Sequence, residues 1–133
     1  MANILVVDDE KDVVTLIKFL LEKDGHRVAE AFNGAEALKL LGVEPPDPSA
    51  ALPDLIILDV MMPVVDGYTT ATKLRENAET RAIPLVILTA KGQMRDVFEM
   101  TPNVAAYIEK PFDPKQLRDL VTGMFPSGGP SRP

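Results

Sequence analysis

The sequence predicts an α/β fold, with a parallel sheet of five strands and helices on both of its faces. Two observations carry that expectation. Short apolar runs alternate along the chain with segments of helical periodicity, the pattern of consecutive βαβ units. Three of the runs, Ile4-Leu5-Val6-Val7, Leu55-Ile56-Ile57-Leu58 and Leu85-Val86-Ile87-Leu88, are continuous rather than alternating. Parallel strands buried by crossover helices read in that way, and right-handed crossovers distribute the helices over both faces. A chain of 133 residues suffices for one domain with a real core and not for two ordinary ones.

The first strand is the run ending at Val7. Val14, Ile17, Leu20 and Leu21 then recur on one face of a helix over about 11–23, which Gly25 ends. Residues 28–31 read as a second, weaker strand. Asn33 followed three positions later by Glu36 is a helix-start pattern, with Ala37, Leu38 and Leu41 on the buried side. Pro45, Pro46, Pro48 and Pro53 make 42–53 a loop, longer than such a connection needs. After the third strand, Met61-Met62-Pro63 and Asp66-Gly67 lead into a helix over about 68–77. Ile83-Pro84 precedes the fourth strand, 91–100 has helical character, and Pro102 stops it. Tyr107-Ile108 belongs to a fifth strand. Asp113-Pro114 is an N-cap and N1 pair opening a fifth helix with Leu117, Leu120, Val121 and Met124 on one face. The domain therefore spans 1–125, and 126–133, rich in Pro, Gly and Ser, is expected to be disordered.

Composition removes several function classes. The hydrophobic fraction of 46% and charged fraction of 26% are those of a globular protein. Net charge is −6 and no long basic run occurs, so direct nucleic-acid binding is not expected. The absence of Cys excludes disulfides, thiolate catalysis and cysteine-based zinc sites. No apolar run approaches membrane-spanning length and no signal-peptide pattern precedes the first strand. The expected location is the cytoplasm. The single histidine, His26, lies in Asp24-Gly25-His26-Arg27 and reads as an ordinary surface or turn residue.

The chemistry lies where the strands end. Asp8-Asp9 follows the first run, Asp59 the third, Thr89-Ala90 the fourth, and Glu109-Lys110 follows Tyr107-Ile108. In a parallel sheet these ends share one edge, the edge at which open α/β sheets bind ligands. Three carboxylates with an ammonium suit a hard divalent cation and a phosphoryl group. Mg²⁺ takes oxygen ligands in near-octahedral geometry. Asp9 and Asp59 are candidate direct ligands, Asp8 binds directly or through water, and the Met61 carbonyl supplies a further oxygen. An N-cap accounts for Asp8 or Asp9, but not for both. Asp59, closing four aliphatic residues, would be costly to bury without a cation nearby. A carboxylate can also act as a nucleophile toward phosphorus, and Asp59 is the central one. Lys110, Thr89 and the Ala90 amide would neutralise the remaining phosphoryl oxygens.

Taken in order, Val7-Asp8-Asp9-Glu10, Leu58-Asp59-Val60-Met61-Met62-Pro63, Asp66-Gly67, Thr89-Ala90 and Tyr107-Ile108-Glu109-Lys110-Pro111-Phe112 resemble the receiver domain of bacterial two-component response regulators, over about residues 3–125. The resemblance implies a flavodoxin-like sheet of strand order 2-1-3-4-5. It implies phosphorylation of Asp59 by a histidine kinase or a phosphotransfer protein, with Mg²⁺ held by Asp8, Asp9, Asp59 and the Met61 carbonyl. A cis peptide between Lys110 and Pro111 is implied too. Thr89 and Tyr107 are similar to the family's switch pair, whose movement alters the face of the fourth helix, fifth strand and fifth helix toward a downstream partner. A homodimer formed on phosphorylation is left open. The domain is then a phosphoacceptor regulator, which promotes only its own phosphorylation and dephosphorylation. Departures from the pattern are the long 42–53 loop, Val64-Val65, and the approach to the fifth strand over 99–103. Met61 and Lys91 stand where the family borders the attacking water.

Other classes fit less well. Haloacid-dehalogenase-like phosphatases need a second Asp two positions after the nucleophile, where this chain has Met61. A nucleotide-binding Rossmann domain needs a Gly-rich first turn, and Asp8-Asp9-Glu10 would repel a pyrophosphate. An interaction module that has lost the chemistry would have no need of the acidic set.

Overall fold

The computed structural model describes residues 2–59, 67–90, 104–110 and 112–125. Strands β1 (Asn3–Val7), β2 (Arg27–Ala31), β3 (Leu55–Asp59), β4 (Leu85–Ala90) and β5 (Val104–Lys110) form one sheet in the order β2-β1-β3-β4-β5. Every neighbouring pair is parallel. The described helices are α1 (Lys11–Lys23), α2 (Gly34–Leu40), α3 (Gly67–Glu76) and α4 (Pro114–Met124). The helix expected over 91–100 lies outside the described residues, so α4 is the one the sequence placed fifth. Met61, the loop to Asp66, Lys91, Pro111 and the tail also lie outside them.

The pleat sorts the strands into two cores. Leu5, Val7, Ile56, Leu58, Leu85 and Ile87 pack with α2 and α3 through Ala37, Leu38, Ala71 and Leu74. Ile4, Val6, Ile57, Val86, Leu88 and Ile108 face the other way, onto α1 and α4. Alternate residues of one strand thus serve opposite layers, which is why β3 is buried along its whole length. Each large aliphatic so enclosed contributes about 1.5–3 kcal/mol. Edge strand β2 alternates between exposed and covered positions instead, which accounts for its weaker signal.

Local chemistry sets the helix ends. Asn33 accepts a hydrogen bond from the Glu36 amide at 2.8 Å, and Glu36 accepts one from the Phe32 amide at 2.7 Å. Asp113 caps α4 by accepting from the Lys115 amide, with Pro114 in the first turn. Gly25, at φ +96°, turns the chain from α1 toward β2. The expected N-cap at Asp8 or Asp9 is not observed. Glu10 is the N-cap residue, and its side chain makes no capping bond.

The 42–53 loop is folded rather than loose. Gly42 has φ +71°, and a Cβ there would run into the Asp47 carbonyl oxygen. Val43 bridges to Pro46, and Lys73 of α3 holds Glu44 at 2.7 Å. At the end of the connection, the Asn3 amide donates to Asp54 Oδ2 at 2.9 Å. These attachments lie at the end of the sheet opposite Asp8 and Asp59.

Strand β5 begins at Val104, earlier than Tyr107-Ile108 had indicated. Ala105 and Ala106 have little β preference of their own. Pairing with β4 overrides this, with a register shift between Leu85 and Val86.

His26 is buried, contrary to its expected place in a surface turn. Its Nδ1 accepts the Ala2 amide proton at 3.1 Å, and its ring lies 6.3 Å from that of Phe125 at the end of α4. Burial pushes its pKa below the ordinary value of 6.5, opposed by the Asp24 carboxylate. The unfolded chain therefore binds a proton at a higher pH than the folded one does. Stability contributed by neutral His26 is lost as pH falls below about 6.5, down to the lowered folded pKa. The His26→Asn variant keeps an acceptor for Ala2 but does not titrate. Its urea-unfolding free energy should fall less than wild type between about pH 7.5 and 5.5. Parallel pH profiles for the two proteins would contradict this role.

Candidate functional site

The strand ends predicted to meet do meet. Val7 is in register with Leu58, so Asp8 emerges beside Asp59. Asp59 is in register with Leu88, and Ala90 with Lys110. Asp8, Asp59 and Thr89 are 0%, 2% and 1% exposed, whereas Asp9 faces solvent. Carboxylate oxygens of Asp8, Asp9 and Asp59 lie within 4.8 Å of one another. The Glu10 amide donates to Asp8 Oδ1 at 2.9 Å and fixes that carboxylate.

Lys110 reaches into this group from β5. Its Nζ is 2.8 Å from Asp8 Oδ2, 3.0 Å from Glu10 Oε1 and 3.3 Å from Asp59 Oδ2. Burial alone would lower its pKa. The close contact with Asp8, the hydrogen bond to Glu10 and the charge of Asp59 outweigh burial and raise the pKa well above the ordinary lysine value. The ammonium stays charged at any physiological pH.

The donor set suits a divalent cation. All three carboxylates offer hard oxygen ligands, and two of them are buried. Asp8 Oδ2 is buried and accepts no hydrogen bond at acceptable geometry. Its close contact with Lys110 is an ion pair only. An oxygen so placed has coordination to spare, and among the described residues one ammonium, that of Lys110, faces three clustered carboxylates with Glu10 beside them.

Thr89 and Tyr107 lie on adjacent strands. Ile87 is in register with Tyr107, and Thr89 lies two residues beyond Ile87 on the same side of β4. Both switch candidates therefore point toward the α2–α3 layer, where Tyr107 is half-buried against the core. Glu10 is the participant that sequence reasoning did not assign. It lies 100 residues from Lys110, and only the closed sheet shows their contact.

The chain matches the response regulator receiver domain family over residues 4–122. It belongs to that family. It is 39% identical over 118 residues to the response regulator SaeR of Staphylococcus epidermidis, covering 88% of this chain and 47% of SaeR. Identity to protein PilH of Pseudomonas aeruginosa is 36% over 126 residues, covering 94% of this chain and 98% of PilH. Among solved structures, the signal receiver domain of a signal transduction histidine kinase from Syntrophus aciditrophicus superposes with a TM-score of 0.79 at 32% identity. That match covers 93% of this chain and 89% of that one. The Vibrio cholerae chemotaxis protein CheY4 gives 0.78 at 26% identity, covering 92% and 98%. The chain spans about half the length of SaeR and, at 48%, of the Bacillus subtilis regulator PhoP.

The chain is thus a two-component receiver domain, a regulatory domain rather than a catalytic one. Its acidic triad is typical of the receiver Mg²⁺ site, and membership implies a cognate histidine kinase. No helix among the described residues is long and apolar enough to cross a membrane.

A divalent cation should stabilise the fold by relieving the crowded charge. At ten times its Kd, Mg²⁺ should add about 1.4 kcal/mol, a Tm increase of about 5 °C for a domain of this size. The Asp9→Ala variant should lose most of that increase. An undiminished shift in that variant, read by thermal unfolding, would exclude Asp9 as a ligand.

Proposed function

We propose that this domain, in the cytoplasm, accepts a phosphoryl group on Asp59 from a histidine kinase or phosphotransfer protein, and converts that event into a change at a partner-binding surface. The supporting observation is the meeting of Asp59, two further carboxylates and the Lys110 ammonium at one sheet edge. An Asp59 oxygen forms the new P–O bond while the donor's P–N bond breaks. The electron pair passes to the donor imidazole, which is then free to take up a proton. Asp8, Asp9 and Asp59, with the Met61 carbonyl, would hold Mg²⁺, which when bound supplies positive charge for one phosphoryl oxygen. Lys110 neutralises a second oxygen. The Thr89 hydroxyl and the Ala90 amide serve the third. Such transfer needs positioning and charge neutralisation more than covalent help.

The assignment of Asp59 is tested with acetyl phosphate and Mg²⁺, read by intact mass. Wild type should gain one phosphoryl group and Asp59→Asn none. Equal modification of the two proteins would move the acceptor elsewhere.

The output reading rests on Thr89 and Tyr107 sharing a face. A hydroxyl drawn toward the phosphoryl oxygen leaves space on that face, and the aromatic ring of Tyr107 can fill it. The surface of β5 and α4 then presents a different shape to a downstream protein. On adding beryllofluoride and Mg²⁺, amide NMR shifts should extend from Thr89 through Tyr107 to α4. Thr89→Ala should still bind beryllofluoride, more weakly, with much smaller shifts at α4. Wild-type shifts confined to the acidic edge would show that this route is not used.

A further inference from the structure

We infer that Glu10 is a positioning residue that restrains the Lys110 ammonium in the unphosphorylated domain and thereby weakens its hold on a phosphoryl group. The inference rests on the phosphoacceptor reading of Asp59. Glu10 occupies the N-cap of α1 with φ −90° and ψ 109°, yet its side chain caps nothing. Its Oε1 accepts a hydrogen bond from Lys110 Nζ at 3.0 Å instead. Its backbone does the local work. The amide holds Asp8 Oδ1, and the carbonyl accepts from Val14. The carboxylate can therefore be changed without loosening either Asp8 or the helix.

An ammonium has three N–H donors, and Lys110 has an anionic neighbour for each: Asp8, Glu10 and Asp59. A phosphoryl oxygen on Asp59 needs one of those donors. Asp8 and Asp59 belong to the carboxylate cluster that suits a cation, and a cation there draws their charge away from Lys110. Glu10 is outside that cluster. It remains a competitor for Lys110 after a metal has bound. Because the Glu10 side chain is 60% exposed against 20% for Lys110, water screens the pair and limits the effect to a few-fold.

The test is beryllofluoride affinity of the full chain at saturating Mg²⁺. Glu10→Gln should bind about two- to fivefold tighter than wild type. Loss of a negative charge near any anion would also tighten binding, so the substitution is repeated in Lys110→Ala, where the gain should shrink toward nothing. A second readout needs no phosphoryl analogue. The Lys110 ¹⁵Nζ resonance of the free domain should shift in Glu10→Gln. An unmoved resonance, or an equal gain with and without Lys110, would overturn the role given to Glu10. Wild-type binding with no gain in Glu10→Gln would do the same and leave the phosphoacceptor reading intact. Failure of the wild type to bind beryllofluoride would remove that reading itself.

Discussion

Burying two carboxylates at one edge of a parallel sheet is the constraint on which this structure turns. Asp8 and Asp59 are almost wholly removed from water. An ionised carboxylate in that position costs several kcal/mol unless it is paired. Lys110 is the cation that offsets this. Its stem spans an awkward distance, since β5 lies two strands from β3 and three from β1. At about 4.8 Å per strand, Asp59 is roughly 10 Å away across the sheet. A long, flexible ammonium can cross β4 and still present three donors. The sheet order, the residue type and the place at the end of β5 are therefore one requirement.

The same requirement is met by the apolar runs that lead into the site. Charge held at the strand ends has to be opposed by burial elsewhere. The aliphatic runs that end at Val7 and Leu58 supply it on both faces of the sheet. Those runs are what the sequence displays most openly. The sheet's parallel character, the two-sided helix layers and the convergence of Asp8, Asp9, Asp59, Thr89 and Lys110 were legible from continuous apolar stretches that each close on a polar residue. The strand order came from motif resemblance, because spacing alone does not decide which strand lies beside which.

What escaped the sequence depends on tertiary pairing. Ala106 joins β5 by pairing with Val86 of β4, and Ala105 as the extra residue at the register shift, not through any preference of alanine. His26 looks like a turn residue until α4 brings Phe125 over it. Glu10 reads as one more acidic residue at a helix start, and its contact with Lys110 exists only once the first and last strands share an edge. The 42–53 loop was recognised by its prolines, but its order comes from the Lys73–Glu44 pair and the turn at Gly42, which no local pattern reveals.

These contacts also constrain how a signal can leave the site. Tyr107 faces the α2–α3 layer, whereas α4 packs on the opposite face through Leu117, Val121 and Phe125. Arg118 ties α4 to the C-cap of α1, donating to both Asp24 oxygens at 2.6 and 3.0 Å. Its hydrogen bond, ahead of its charge, lowers the Asp24 pKa. A reorienting Tyr107 ring therefore cannot press directly on the buried stripe of α4, and α1 resists wholesale displacement of that helix. Strand β5, like β1, β3 and β4, touches both layers, with Tyr107 on one side and Ile108 on the other. It is also an edge strand, bonded to β4 alone, so it can shift with fewer bonds disturbed than any central strand. Any coupling of Tyr107 to α4 therefore runs through β5 and the sheet rather than through direct contact of the ring.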